Sequence, residues 1–201
     1  MQPARRAPRL PTWLMALLAA VVLVGAPSGI VWTAYFASIE VTRPAPEAVA
    51  SDPLELDIES LGLRDVGILP MAMADGVLHP PDNPRLVGWW RDSADAGAET
   101  GTTLLTSHKV ANGNGVFEHL VEVEPGAGIV VVGEGGGHRY VVDEVRVLHK
   151  DELALEAPQL FAQDGPHRLV LVTCEDWDGT DFQSNSVVVA SPQPDPVADG
   201  T

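Results

Sequence analysis

The sequence predicts a mainly β protein: a closed β-barrel with short helices, preceded by one N-terminal transmembrane helix. Three observations carry this prediction. Residues 13–36 form one apolar run without a charge, the remainder breaks into short apolar and β-branched runs, and 19 glycines and 17 prolines punctuate the chain. Such punctuation favours short strands and many turns over long helices. At 45% hydrophobic residues in a chain of 201, there is enough apolar material for one folded domain with appendages.

The N-terminal run comes first. A helix over residues 12–36 is long enough for the roughly 30 Å hydrocarbon layer of a bilayer. Pro27 and Gly29 lie inside it, and Trp32, Tyr35 and Phe36 gather at its far end like an interfacial aromatic belt. Arg5, Arg6 and Arg9 precede it and no acid does, so residues 1–11 are expected in the cytoplasm and the rest of the chain outside. A cleaved signal peptide has an apolar core of only ~7–15 residues, so the longer run reads as an uncleaved, single-pass anchor. All the acidic residues follow this segment, and the chain carries a net charge of −16. A domain that acidic repels phosphate backbones, which excludes nucleic acid as a partner.

Residues 37–52 read as a Pro-stiffened linker, and residues 192–201 as a disordered Pro/Asp-rich tail. The folded unit is then residues 53–191. Within it, Val66–Met71 and Thr102–Ser107 are strand candidates bounded by Gly or Pro. Ile129–Val132 and Arg139–Leu148 flank the run Gly133–Gly137 and read as a hairpin, although Asp143 and Arg146 interrupt the alternation of the second strand. Leu169–Thr173 and Ser186–Ala190 are continuous apolar runs, suited to strands buried on both faces. Val116–Val121 and Leu153–Phe161 suggest short helices. Barrel closure would protect the edges of such a sheet.

Two strand ends carry the chemistry. Cys174 is the only cysteine, so it has no intrachain disulfide partner. A lone cysteine outside the cytoplasm is an intermolecular partner, an inert core residue or a reactive thiol. Its position after the apolar run Leu169–Thr173 favours a reactive thiol on a rigid platform. The run Thr102–Ser107 ends in the same way at His108. Two strands of one barrel can bring this pair together, and a thiol nucleophile needs a neighbour that takes its proton and stabilises the thiolate. At ordinary pKa values the thiolate–imidazolium form is ~1% of the neutral pair.

These residues, taken with others in order, resemble the sortases, cysteine transpeptidases of Gram-positive cell surfaces. Ile68-Leu69-Pro70, the segment ending at His108, and Leu171-Val172-Thr173-Cys174 resemble family elements. Asp75–Pro80, Val87–Trp90, Phe117–Leu120 and Asn185–Ala190 add to the likeness, which is greatest to the actinobacterial class F branch and spans about residues 54–191. The resemblance implies a sortase-like barrel in which Cys174 attacks a Leu-Pro-x-Thr-Gly-type sorting signal, forming a thioester, with His108 as general acid. A cell-wall precursor or pilin amine then resolves the thioester. Sortases usually bring an arginine on the strand after the cysteine, but no Arg or Lys follows Arg168 here. Asn185 lies near that position, with Gln183 beside it and Arg91, Arg139 and Arg168 as more distant substitutes. Another departure is Ser107, where many relatives have Gly.

The remaining signals are structural. His79, His119, His138, His149 and His167 lack metal-ligand spacing and read as surface or packing residues. Asp176–Asp181 lacks the spacing and bidentate Glu of a calcium loop. The glycines at 133–137 open no helix and precede no P-loop lysine. No cofactor and no metal are expected. Two rival functions remain: a surface peptide-binding domain that keeps the fold without the chemistry, and an L,D-type transpeptidase, whose Ser-x-Gly-Cys-x-Arg element is not supplied by Val172–Glu175.

Overall fold

The computed structural model describes residues 50–74, 76–110 and 113–193. The short apolar runs pair into eight strands: β1 (Pro53–Ile58), β2 (Leu63–Met71), β3 (Val87–Trp90), β4 (Thr102–Thr106), β5 (Gly128–Gly133), β6 (Gly136–His149), β7 (Arg168–Trp177) and β8 (Phe182–Pro192). They close into a barrel in the order β1-β2-β3-β4-β7-β8-β6-β5. Closure leaves no unpaired edge to template aggregation. The pairs β2–β3 and β4–β7 are parallel and the others antiparallel. The transmembrane segment expected at 12–36 lies outside the described residues. Among those described, no helix is long and apolar enough to cross a membrane.

The side-chain period of two separates two cores. Leu56, Ile58, Leu105, Ile129, Leu169, Leu171 and Val188 point into the barrel, together with Phe117 and Leu120 from a connecting loop. Leu104, Leu148, Val170, Val187 and Val189 point outward and are covered by Leu160, with Leu153, Phe161 and Val172 packed against them. β7 and β8 are thus buried on both faces, which is why their sequences are continuous apolar runs rather than alternating ones. Each fully buried Leu or Val contributes about 1.5–3 kcal/mol.

The outer core exists because α1 (Lys150–Leu160) lies over it. This helix begins three residues before the expected Leu153 because a capping box fixes its start. The His149 Nδ1 accepts from the Asp151 amide at 3.4 Å, and the Glu152 carboxylate accepts from the His149 amide at 3.0 Å. Arg146 of β6 reaches Glu156 through two bonds of 2.6 Å, tying the helix to the sheet. That contact explains why Arg146 interrupts the strand's apolar alternation. Asp143 interrupts it for another reason: the β6–β8 register shifts between Val142 and Glu144, leaving Asp143 on a bulge, where it accepts from Ser191 Oγ at 2.6 Å.

The expected hairpin forms as β5 and β6, with Gly133 opposite Gly136 and a two-residue turn between. Gly133 also admits the chain entering β1, since a Cβ there would lie 2.2 Å from Ser51 Oγ. Val116–Val121 is not a helix. It runs through turns into a single helical turn at Leu120–Glu122, which places Phe117 and Leu120 in the barrel interior. Pairing begins at Ser51, bridged to Ala96, and extends to Gln193, whose amide donates to the Arg139 carbonyl at 2.8 Å.

Candidate active site

Cys174 is half-buried near the end of β7. Val170 and Val172 face the outer core, so alternation turns Cys174 to that same outer side. The neighbouring parallel strand supplies His108. The β4–β7 ladder ends with Thr106 opposite Val172. Two bonds then carry the pairing past the strand: the Ser107 amide donates to the Val172 carbonyl at 3.4 Å, and the buried Thr173 hydroxyl donates to the Ser107 carbonyl at 2.9 Å. The next residues on the two chains are His108 and Cys174. The pair after them is joined as well, because Lys109 Nζ forms an ion pair with Glu175, whose other oxygen accepts from Ser186 Oγ at 2.7 Å. His108 and Cys174 therefore follow the last bonded positions of the two neighbouring chains, with the Thr173–Ser107 bond before them and the Lys109–Glu175 pair after.

Gly115 packs closely against the backbone of His108 and Lys109. A Cβ on Gly115 would lie 2.2 Å from the His108 carbonyl oxygen, so only glycine allows this approach. On the opposite flank, β8 puts Asn185 directly across from Cys174. The Asn185 Nδ2 donates to the Thr173 carbonyl at 3.2 Å, which fixes the amide beside the thiol.

Cys174 and Asn185, but not His108, line a cavity of about 630 Å³ between the outer face of the barrel, α1 and the β2–β3 connection. Leu104, Thr106, Val172, Thr173, Cys174 and Asn185 line the sheet side, with Ser107 the last residue before His108. Leu153, Ala154, Ala157 and Phe161 form the helical wall, and Met73, Val77, Leu78, His79 and Pro80 form the third. Lys150, the first residue of α1, is the only described lining residue with a permanent charge. Apolar walls with a few convergent polar groups are the usual make-up of a ligand site.

Electrostatics around the thiol are mixed. Burial pushes the Cys174 pKa up, Lys150 pulls it down, and Asp181 and Glu175 add to the rise. The neutral thiol is thus the resting form, and a base is needed to generate the nucleophile.

The other expected participants lie elsewhere. Gln183 donates to Asp178 Oδ2 at 2.8 Å and is outside the described lining. Arg168 sits at the opposite end of β7, donating to Thr102 Oγ1 at 3.0 Å. Arg139 is paired along β5, and Arg91 is exposed beside Asp92. None of the three arginines reaches the cavity. Lys150 is not marked by any motif in the sequence, and it reaches the cavity from the first turn of α1, which is far from Cys174 along the chain. Of the remaining histidines three make polar contacts, while His138 is buried with no hydrogen-bond partner for its Nε2 among the described residues. His167 bonds to the Tyr140 hydroxyl at 2.9 Å, His119 pairs with Glu122, and His149 caps α1. His79 faces the cavity. Asp178 folds the β7–β8 turn, its carboxylate accepting from the Thr180 and Asp181 amides at 2.8 and 2.9 Å. Trp89 packs in the core and donates to Ser93 Oγ at 3.1 Å.

The structure is thus a closed β-barrel with one half-buried thiol at an apolar cavity, and His108 follows the neighbouring parallel strand. The Sortase domain family model matches residues 56–193, and the chain belongs to the sortase family, whose members are cysteine transpeptidases. Solved structures share the fold at low identity. Sortase C1 of Streptococcus agalactiae, in its complex with MTSET, is 21% identical, with a TM-score of 0.56 over 73% of this chain and 72% of that one. Sortase A of Corynebacterium diphtheriae is 16% identical, with a TM-score of 0.55 over 75% and 65%. Sortase C-1 of Actinomyces oris is 18% identical, with a TM-score of 0.54 over 71% and 74%. No curated protein sequence matches the chain.

Proposed function

We propose that this chain is a membrane-anchored, class F-like sortase that cleaves a Leu-Pro-x-Thr-Gly-type sorting signal and transfers the released acyl group to a cell-wall amine. The observation that supports the proposal is Cys174 lining the apolar cavity, with His108 reached on the neighbouring chain just past the Thr173–Ser107 bond. The anchor at 12–36 places the domain outside the cell by the positive-inside rule.

His108 takes the thiol proton, and the thiolate attacks the Thr carbonyl of the signal. A C–S bond forms while the carbonyl π electrons move to oxygen. Collapse breaks the C–N bond, and His108 returns its proton to the leaving amine, leaving a thioester on Cys174. An incoming amine reverses the sequence and regenerates the thiol. The apolar walls exclude water, which competes with the amine for the thioester. The Asn185 amide, opposite the thiol, is a neutral donor for the oxyanion or the substrate backbone. Losing one such donor costs about 3–4 kcal/mol in other enzymes.

A transfer assay tests the proposal. The extracellular domain is incubated with a labelled signal peptide and an amine such as a glycine or lysine peptide. Mass spectrometry is expected to detect the joined product with the unsubstituted protein and none with C174A. A second reading, a surface peptide-binding domain without chemistry, is favoured by the burial that raises the Cys174 pKa. Saturable peptide binding with neither product nor adduct would establish it instead.

A further inference from the structure

We infer that Lys150 supplies the positive charge for the Cys174 reaction, its ammonium donating a hydrogen bond to the oxyanion while Asp181 holds it at the cavity wall. This inference rests on the acyl-transfer reading above.

The placement carries the argument. Lys150 lines the same cavity as Cys174 and Asn185. Its Nζ donates to Asp181 Oδ2 at 2.7 Å, so the side chain is held toward the β7–β8 turn. That turn is built in its own right: Asp178 accepts from the Asp181 amide at 2.9 Å, and Asp181 Oδ1 accepts from the Phe182 amide at 2.9 Å. An ammonium has three donors, and Asp181 engages one of them. The others are available for a developing negative charge.

Helix stability does not explain this lysine. A cation at the first position of a helix opposes the macrodipole, whereas the neighbouring Asp151 and Glu152 suit it. The charged surroundings of the thiol point the same way. Glu175 on β7 and Asp181 on the β7–β8 turn raise its pKa, and Lys150 opposes them. Lys109, beyond His108, is committed to Glu175. His79 faces the cavity from the β2–β3 connection, and His149 with Asp151 and Glu152 belongs to the α1 cap. Lys150 is therefore the described lining residue able to stabilise a thiolate or an oxyanion without giving up a proton.

In the step itself, the thiolate sulfur bonds to the carbonyl carbon and the π electrons move to oxygen. Lys150 Nζ–H donates to that oxygen and keeps its proton throughout. His108 carries the transferred proton from thiol to leaving amine.

The test compares the unsubstituted protein with K150M, K150R and, as a remote charge control, R64M. Two rates are read: iodoacetamide alkylation of Cys174 from pH 6 to 10, and single-turnover acylation by a signal peptide. K150M is expected to alkylate about three- to tenfold more slowly near neutral pH, with the profile shifted to higher pH. Its acylation is expected to fall about 100-fold, more than the alkylation does. K150R keeps the charge and recovers most of both rates, and R64M is unchanged. If K150M alkylates and acylates like the unsubstituted protein, the role of Lys150 is overturned. If the unsubstituted protein is not acylated at all, the sortase reading fails, and the alkylation series still decides whether Lys150 acts on the thiol.

Discussion

Gly115 sets the position of His108 by having no side chain. With its Cβ due to fall 2.2 Å from the His108 carbonyl oxygen and 3.3 Å from Lys109 Cα, a methyl group there must push backbone aside. The variant G115A is expected to fold and to lose about 100-fold in acylation rate, because a shift of the order of 1 Å in a catalytic group has that effect. Circular dichroism with a single-turnover assay checks it, and an unchanged rate would show that the loop gives way without moving the imidazole. The thiol adds a second expectation at this scale. Burial raises the Cys174 pKa, so the thiolate fraction grows about tenfold per pH unit until that pKa is passed. Alkylation is therefore expected to keep accelerating into the alkaline range, and a plateau reached below neutral pH would contradict the burial argument. The sequence singles out Cys174 and His108 as candidates because each follows an apolar run. It does not single out Lys150, whose nearness to the thiol arises from a helix packing over the sheet.

At the level of elements, the site is a property of one parallel pairing. His108 follows β4 and Cys174 lies on β7, with the Thr173–Ser107 bond before them and the Lys109–Glu175 ion pair after. Replacing Thr173 by Val removes a buried hydroxyl bond of 2.9 Å while keeping the shape. The expected cost is about 1 kcal/mol of stability. Acylation is expected to drop tenfold or more, since the bond joining the two chains beside Cys174 is lost. A denaturation curve alongside the rate measurement separates the two effects, and a stability loss with an unaltered rate would remove Thr173 from the positioning role. The sequence disclosed β2, β4, β5, β6, β7 and β8 through their β-branched or apolar runs. It did not disclose β1, where Pro53, Glu55 and Asp57 dilute the pattern, or β3, whose Val87-Gly88-Trp89-Trp90 is too short to show a period. The misplaced helix at Val116–Val121 shows the same limit, because tertiary burial of Phe117 and Leu120 overrides local preference.

For the whole molecule, the barrel separates chemistry from stability. β4 and β7 run in parallel, so the end opposite Cys174 holds Gly101, His167 and Tyr140 together. His167 Nδ1 faces the Gly101 carbonyl at 3.0 Å, and Nε2 the Tyr140 hydroxyl at 2.9 Å. Burial pushes the Tyr140 pKa to about 12 and holds that of His167 below its ordinary 6.5. The unfolded chain binds this proton more readily than the folded one. The stabilisation is thus complete above about pH 6.5 and is lost as the pH falls through the lower folded value. Melting temperature is expected to decline between pH 7 and pH 5 with a shallower slope in H167Q, and identical slopes would exclude His167 as the source. Asp178 and Asp181 act lower on the scale. Backbone amides hold Asp178, and Lys150 holds Asp181, below 3.8, so their contributions persist until the solution is strongly acidic. The mainly β class was legible from punctuation and strand runs, while barrel order was not, because closure is set by contacts far apart in sequence.

The central claim is that Cys174 and His108 form one acyl-transfer pair. Intact-mass spectrometry of the protein mixed with a Leu-Pro-x-Thr-Gly-type peptide, quenched in acid before the amine is added, tests it most directly. The account predicts a mass increase equal to the acyl portion of the peptide, mapped to Cys174, absent in C174A and strongly reduced in H108A. A protein that stays at its own mass across a panel of such peptides, or an adduct that forms equally well in H108A, would contradict it.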